Sequence, residues 1–163
     1  MNQSELLAEA LNSVRNLTKF YFSKINPEDL EIQMEVDGIK FNSPKWLAAH
    51  LAWTENFLLL QGIGGKTSEV KWLEEYGFGS NPDDLKSEIS FEEIMKTLDE
   101  IHNDAINHLI SLSDEQLEEK NLIGANFGGK DTIKAVVIHA IRHEPMHTGQ
   151  ISWFLKYRGV TLT

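Results

Sequence analysis

Apolar residues recur at every third or fourth position through four long segments of the chain, a spacing that predicts amphipathic helices. The first segment covers residues 4–25, with Ser4 as the expected N-cap. Its apolar stripe consists of Leu6, Leu7, Leu11, Val14, Leu17, Phe20 and Tyr21. The second segment begins at Ser43-Pro44, a cap followed by a first-turn proline, and continues to Gly62.

The other two helical segments lie in the second half of the chain. Ser90 and Glu93 have the spacing of a capping box and introduce a helix over residues 91–112. Ser113 is the expected cap of a short turn that follows it. The last helix begins after Asp131 or Thr132 and ends at Arg158, with a glycine directly after it.

Two long connections separate these helices. Residues 26–42 contain Asp37-Gly38 between short alternating apolar residues, a pattern for which we favour an irregular loop over a small hairpin. In residues 62–87, the aromatic side chains of Trp72, Tyr76 and Phe78 are expected to pack down as a lid. Four helices with two long connections predict an all-α fold, an antiparallel four-helix bundle with long crossover connections that forms a single domain over residues 1–163.

Composition and charge narrow the range of functions. The 163 residues include 15 Lys and Arg and 25 Asp and Glu, and the resulting net charge of -10 disfavours nucleic acid and anionic membrane surfaces as partners. The absence of cysteine excludes disulfides, thiolate metal sites and cysteine nucleophiles. The first residues show no basic and apolar export signal, and no apolar run approaches the ~20 residues that span a bilayer, so we expect a cytoplasmic protein.

Three histidines of the last helix form one seam. His139, His143 and His147 are each four residues apart, so that successive rings are rotated by only about 40° around the helix. Two imidazoles at i and i+4 can bind one cation of the size of zinc, and the helix presets their geometry. The seam therefore predicts half of a metal site.

The segment from His143 to His147 also matches H-E-x-x-H, the metalloprotease pattern in which the glutamate activates water. Two observations argue against a peptidase. The residues after His147 contain no His, Asp or Glu that would supply a third ligand, and Pro145 lies inside the motif, where it is expected to kink the helix and to separate the two rings.

A third ligand must then come from upstream, and His50 in the apolar second helix is the candidate. A lone histidine there would more often be a hydrogen-bonded core residue, but its coexistence with the His143 and His147 pair favours ligation. Three neutral imidazoles from two helices would leave an open coordination position, as in catalytic zinc sites. Zinc or nickel is the preferred divalent ion, and iron and manganese also accept imidazole ligands.

The remaining candidates are polar residues near this site. Gln150 and Glu144 are the nearest groups that could orient a ligand or act as acid or base, with a plain helix-surface role as the alternative. For His139, we favour a partly buried position one turn from the site over ligation. We expect His102 and His108 to be exposed and to carry no chemistry.

These motifs together resemble the DinB-like superfamily of metal-binding four-helix bundles. The resemblance is carried by AAHLAWTENF around His50, by WLEEYGFGS, and above all by HAIRHEPMHTGQISWFLKYRG near the end of the chain. It implies His50, His143 and His147 as the metal ligands, in agreement with the interpretation of their spacing. Glu55 and the segment 76–80 look like family features for which the resemblance implies no role.

The resemblance implies two classes of function. The superfamily includes S-transferases and isomerases that use low-molecular-weight thiols, proteins suspected of metal-dependent hydrolysis, and members without an assigned activity. We therefore expect a metal-dependent enzyme in which water or a small thiol attacks a small-molecule substrate. The alternative is a non-catalytic bundle that binds a small molecule or a metal, or a metal-free helical scaffold, and an apolar surface stripe would make a homodimer plausible.

Overall fold

The computed structural model describes residues 2–161, and most of them are helical. The long helices are α1 (Gln3–Phe22), α2 (Pro44–Glu55), α3 (Phe91–Ile110) and α5 (Ile133–Tyr157), with the short α4 (Asp114–Leu117) before the last. This helical content agrees with the predicted all-α class. Each long helix lies within the segment that the apolar spacing predicts, except that α1 begins one residue earlier.

Side-chain caps explain most of the helix starts. Ser43, Ser90 and Ser113 accept hydrogen bonds from the first turns of α2, α3 and α4, as predicted, and Thr132 is the cap of α5. The predicted cap of α1 is wrong. Asn2 caps that helix through a reciprocal capping box with Glu5, and Ser4 is instead a buried residue of the first turn.

The buried face of α1 also differs from the predicted stripe. Leu6, Leu17 and Phe20 are exposed. The face that turns inward carries small and polar residues beside two apolar ones: Ser4, Ala8, Leu11, Arg15, Thr18 and Phe22. The helix is oriented this way because its polar side chains meet polar partners across the core, and Thr18 Oγ1 lies 2.8 Å from Thr148 Oγ1 of α5.

Helix α2 does not end at Glu55 but passes into a π-helical stretch, Asn56–Gln61. The helix as a whole therefore ends at Gly62, as predicted. Gly62 packs so closely that a Cβ atom there would lie 2.4 Å from the carbonyl oxygen of Leu58, which only glycine avoids. Wider π-helical turns of this kind often occur beside functional sites.

Residues 35–40 form a hairpin, so the irregular loop favoured for this region is wrong. Strands β1 (Glu35–Val36) and β2 (Ile39–Lys40) pair antiparallel around Asp37 and Gly38. Both turn residues have positive φ angles, 51° and 79°, as a type I′ turn requires. The two-residue turn matches the twist of the strands, and this explains why so short a hairpin forms.

The connection between α2 and α3 packs against the helices through two of its three aromatic residues. Trp72 and Tyr76, in the 3₁₀ turn Lys71–Tyr76, are buried, as expected of a packed segment. Phe78 is 94% exposed and takes no part in this packing.

Among the long helices, α1 packs on α5 and α3, and α2 packs on α3 and α5. Within residues 2–161, no helix is long and apolar enough to cross a membrane.

Candidate metal centre

Helices α2 and α5 bring His50, His143 and His147 together. One ring nitrogen of each lies within 4.8 Å of the corresponding nitrogens of the other two. The His143 and His147 ring centroids are 4.6 Å apart, and His50 lies 5.6 Å from the first and 4.9 Å from the second. The convergence of a ring from α2 with the i, i+4 pair of α5, inferred above from spacing, is thus present in the structure.

Hydrogen bonds outside the group determine which nitrogens face inward. The Nδ1 of His50 lies 2.7 Å from the carbonyl oxygen of Tyr76, and the Nδ1 of His147 lies 2.8 Å from Oε1 of Gln150. Carbonyl oxygens only accept hydrogen bonds, so each Nδ1 carries the proton. The Nε2 atoms of these two rings therefore carry the lone pairs that a metal needs.

The spacing of the nitrogens fits a small divalent ion. The Nε2 atoms of His143 and His147 are 3.2 Å apart. Two ligands at ~2.0–2.1 Å from a tetrahedral zinc ion are separated by about 3.3 Å. The pair on α5 therefore already has the separation that such an ion requires, and only neutral nitrogen donors are involved.

Burial keeps the three imidazoles neutral. It lowers the pKa of His50 to about 4, against a smaller opposing effect of the Tyr76 carbonyl. It lowers the pKa of His143 to about 3, with a further contribution from the neighbouring rings, and it also lowers the pKa of His147. Neutral imidazole is the form that binds metals.

Two tryptophans flank the ring from α2. Trp46 and Trp53 lie about one helical turn before and after His50, and their rings stack on it at centroid distances of 4.9 Å and 5.8 Å. The Oγ1 of Thr54 lies 3.4 Å from Nε2 of His50 and is the nearest hydroxyl group to that nitrogen among the described residues. The stacked indoles hold the imidazole in place and limit the access of water to it.

Pro145 does not separate the two rings of α5. The helix is continuous from Ile133 to Tyr157, and Pro145 lies on its exposed side. Proline removes one backbone hydrogen bond, but the turns before and after it stay helical. The expected separation of the His143 and His147 rings is therefore not observed.

A buried ion-pair network surrounds Arg15 and Glu144. Arg15 of α1, 3% exposed, donates from Nε to Glu144 Oε1 at 2.9 Å and from Nη2 to Glu144 Oε2 at 3.0 Å. The same Nη2 lies 2.7 Å from Glu55 Oε2, and Nη1 donates to the carbonyl oxygen of Leu98. Both oxygens of Glu144 are thus bound by the guanidinium, and the alternative of a surface role for Glu144 is wrong.

His102 of α3 completes this network, and the expectation that it is exposed is wrong. Its Nδ1 lies 2.7 Å from Glu55 Oε1, and its Nε2 lies 2.9 Å from Oδ1 of Asn12. Burial alone would raise the pKa of Glu55, but Arg15 and His102 together hold it below its usual range. The network joins α1, α2, α3 and α5, and two of its members, Glu55 and Glu144, line the same small cavity as His143.

The family model of the DinB superfamily matches residues 10–151 of this chain. The chain belongs to the DinB superfamily. The match includes α2, α3 and the part of α5 up to Ile151, and with them all three histidines of the candidate metal centre. The resemblance inferred from the motifs around His50 and His143 is confirmed.

Solved structures share the fold of this DinB superfamily member at low sequence identity. A conserved protein from Enterococcus faecalis is 16% identical with a TM-score of 0.63, over 94% of this chain and 95% of that one. An uncharacterised protein from Escherichia coli UTI89 is also 16% identical with a TM-score of 0.64, over 99% and 98% of the two chains. No curated protein is significantly similar in sequence to this chain.

The other histidines of this DinB superfamily member lie outside the metal centre. The ring of His139 stacks on Phe127 at 3.8 Å, and its Nδ1 accepts hydrogen bonds from Arg142. His139 is partly buried one turn from the site, as favoured above. His108 is half-buried, not exposed as expected, and its Nε2 lies 2.9 Å from the carbonyl oxygen of Ile63.

One atom of the centre has no hydrogen-bond partner among the described residues. It is Nδ1 of His143, which is buried. A cavity of about 10 Å³ adjoins this ring and is lined in part by Thr54, Glu55 and Glu144. The outer nitrogens of His50 and His147 are both bonded, so His143 is the ligand candidate whose ring orientation depends most on packing.

Gln150 is expected to strengthen metal binding through His147. Replacing it by alanine removes the acceptor of the Nδ1 proton, so that the ring no longer has a preferred orientation or tautomer. Such outer partners typically contribute 10–100-fold to metal affinity, and we expect a loss of about tenfold for Gln150→Ala, measured by competition with a chelating dye. Gln61→Ala, at an exposed position, is the matched control, and equal affinities of the two variants would contradict the role of Gln150.

Proposed function

We propose that this DinB superfamily member is a metal-dependent enzyme that acts on a small molecule, with a zinc or nickel ion held by His50, His143 and His147. In this proposal the long helices form an antiparallel four-helix bundle with crossover connections. The observation that carries it is the convergence of three ring nitrogens from two helices, within 4.8 Å of one another. Three protein ligands leave a fourth position open for chemistry.

The reaction would be a nucleophilic attack by water or by a low-molecular-weight thiol on an electrophilic carbon. A bound divalent ion would supply a Lewis acid that makes such a nucleophile more acidic. In thiol transfer, a sulfur–carbon bond forms, the leaving group departs with its bonding electron pair, and the thiol proton passes to solvent. In hydrolysis, water takes the place of the thiol.

The chain's own residues would prepare this site. The Tyr76 carbonyl and the Gln150 side chain each hold a proton on the outer nitrogen of a ligand ring, and this keeps the inner nitrogen free. Trp46 and Trp53 stack on the ring of His50 and limit the access of water to it. The preset geometry lowers the entropy that must be lost when an ion binds.

The proposal does not include peptidase chemistry of the H-E-x-x-H type. That mechanism uses the glutamate as the base that activates water. Both carboxylate oxygens of Glu144 instead accept hydrogen bonds from Arg15, at 2.9 Å and 3.0 Å. Because both oxygens are engaged by a buried guanidinium, neither is free to take a proton from water, which argues against this role.

Metal-dependent turnover is the expected result of an activity screen. Metal-loaded and chelator-stripped protein would be tested with 1-chloro-2,4-dinitrobenzene plus bacillithiol, mycothiol or glutathione, and separately with 4-nitrophenyl acetate. We expect turnover only in the presence of the ion. The variant His143→Ala should lose this activity, and the control variant His139→Ala should keep it. Saturable binding of these compounds without turnover would favour the alternative of a non-catalytic binding protein.

The expected partners belong to the same proposal. A small-molecule substrate and a low-molecular-weight thiol follow from the proposed reaction, and nucleic acid remains disfavoured by the net charge of -10. The homodimer and the cytoplasmic location stay predictions.

A further inference from the structure

An apolar pocket lies between α5 and the hairpin of β1 and β2. Its volume is about 360 Å³, in the lower part of the range of small-molecule sites. Its wall consists of Met34, Val36, Phe41, Asn42, Gln150, Trp153 and Phe154. The polar groups of these side chains are the amides of Asn42 and Gln150 and the indole N–H of Trp153. None of these lining residues is charged, in a chain of which 25% is charged.

Gln150 connects the pocket to the metal centre. It lines the pocket, and its Oε1 lies 2.8 Å from Nδ1 of His147. On α5, Gln150 and Phe154 follow His147 at steps of three and four residues, so these side chains lie along one face of the helix. The pocket therefore begins about one helical turn from a proposed metal ligand.

The hairpin side of the pocket is connected through the chain to α2, the helix that carries His50. Asn42 directly precedes Ser43, the N-cap of α2, and the first turns of α2 lead through Trp46 to His50. The pocket is thus lined by α5, which supplies two of the three histidines, and by the hairpin segment that leads directly into α2, which supplies the third.

The pocket exposes apolar surface that a ligand would cover. Trp153 is 68% exposed and Val36 is 48% exposed, although both line a concave site. Covering such surface is favourable by ~25 cal/mol per Å², whereas an unpaired charge in the same place would be strongly disfavoured. Size and lining together select a small, uncharged group such as an aromatic ring or a branched alkyl chain.

We propose that the hairpin pocket, lined by Val36, Phe41, Trp153 and Phe154, binds the aromatic or branched-alkyl part of the substrate and directs its polar end past Gln150 to the metal centre. This inference rests on the proposed function and specifies its substrate class. Substrates with an uncharged apolar body are accepted, and substrates whose body is charged or strongly hydrated are rejected. The low-molecular-weight thiol that attacks the substrate would bind at the metal, outside this pocket.

The test compares two thiols that differ in one group. Protein loaded with Co²⁺ would be titrated with 2-phenylethanethiol and with 2-mercaptoethanol, which carries a hydroxyl in place of the phenyl ring, and the sulfur-to-cobalt absorption would report binding. Burial of about 60 Å² of apolar surface corresponds to about a tenfold preference for the phenyl compound. We expect this preference in the wild type and in Tyr157→Ser, an exposed aromatic of α5 outside the pocket, and its loss in Trp153→Ser and Val36→Asp.

Each other outcome has a definite meaning. Equal affinities of the two thiols in the wild type would overturn the proposal, as would a change of oligomeric state in Trp153→Ser, which would assign this face to a second copy of the chain. If Co²⁺ does not bind, the proposed function fails, and the pocket is then tested in metal-free protein with the neutral dye N-phenyl-1-naphthylamine. Dye binding that Val36→Asp abolishes would support the pocket, and binding that it leaves unchanged would overturn it.

Discussion

Each wild-type chain is expected to bind a single divalent ion, and replacing His143 by alanine is expected to abolish this binding. His143 contributes one of three nitrogens that lie within 4.8 Å of one another, and the two that remain cannot enclose an ion on three sides. Outer partners of metal ligands contribute 10–100-fold to affinity, so the loss of a ligand should exceed about 100-fold. Elemental analysis of protein purified without a histidine tag measures the ion directly.

His50→Ala tests whether the site spans two helices. We expect the same loss of metal as in His143→Ala, although the two histidines are 93 residues apart in the sequence. His139→Ala is the matched control, because this histidine belongs to the same seam of α5 but its ring stacks on Phe127 outside the group. Stoichiometric metal in His50→Ala or His143→Ala would refute the assignment of the ligands.

Replacing Arg15 by methionine is expected to lower the free energy of unfolding by about 3–5 kcal/mol, because it leaves two buried carboxylates without their cation. Arg15 is 3% exposed, and Glu55 and Glu144 are 5% and 7% exposed. Burial by itself would lower the pKa of Arg15, but the negative charges of these two carboxylates outweigh this effect and raise it. Urea unfolding followed by circular dichroism measures the change.

The same helix provides a control for this measurement. Lys19 of α1 forms an ion pair with Asp99 at 2.7 Å, but both side chains are more than 40% exposed. Exposed pairs contribute about 0–1 kcal/mol, so Lys19→Ala should change stability little. The triple variant Arg15→Met, Glu55→Gln, Glu144→Gln removes the charges together and should recover part of the loss. Equal effects of Arg15→Met and Lys19→Ala would contradict a buried network.

The ligand candidates could be identified from sequence because their pattern is local. His143 and His147 are i, i+4 neighbours, and helical geometry alone places such side chains together. His50 was harder to assign, since its partner helix is distant in the sequence, and only the need for a third donor pointed to it. The convergence of its ring with the other two depends on how α2 packs on α5.

The buried network was missed although the sequence contains a signal for it. Arg15 lies between Leu11, Thr18 and Phe22 at helical spacing, and His102 lies between Leu98, Ala105 and Leu109 in the same way. A charged or polar residue in the middle of a buried face requires a partner in the core. Apolar spacing alone emphasised Leu6, Leu17 and Phe20, and the helix is turned so that these face outward.

Local interactions allowed the positions of the long helices, most of their caps and the histidine pair of α5 to be derived from the amino-acid sequence alone. These features depend on residues within about one helical turn of each other, whose relative geometry the backbone sets. The tertiary structure alone decided which nitrogens of the histidines face inward, that Glu144 is bound by Arg15, and that an apolar pocket adjoins Gln150. Each of these depends on groups that lie far apart in the chain and meet only when the helices pack.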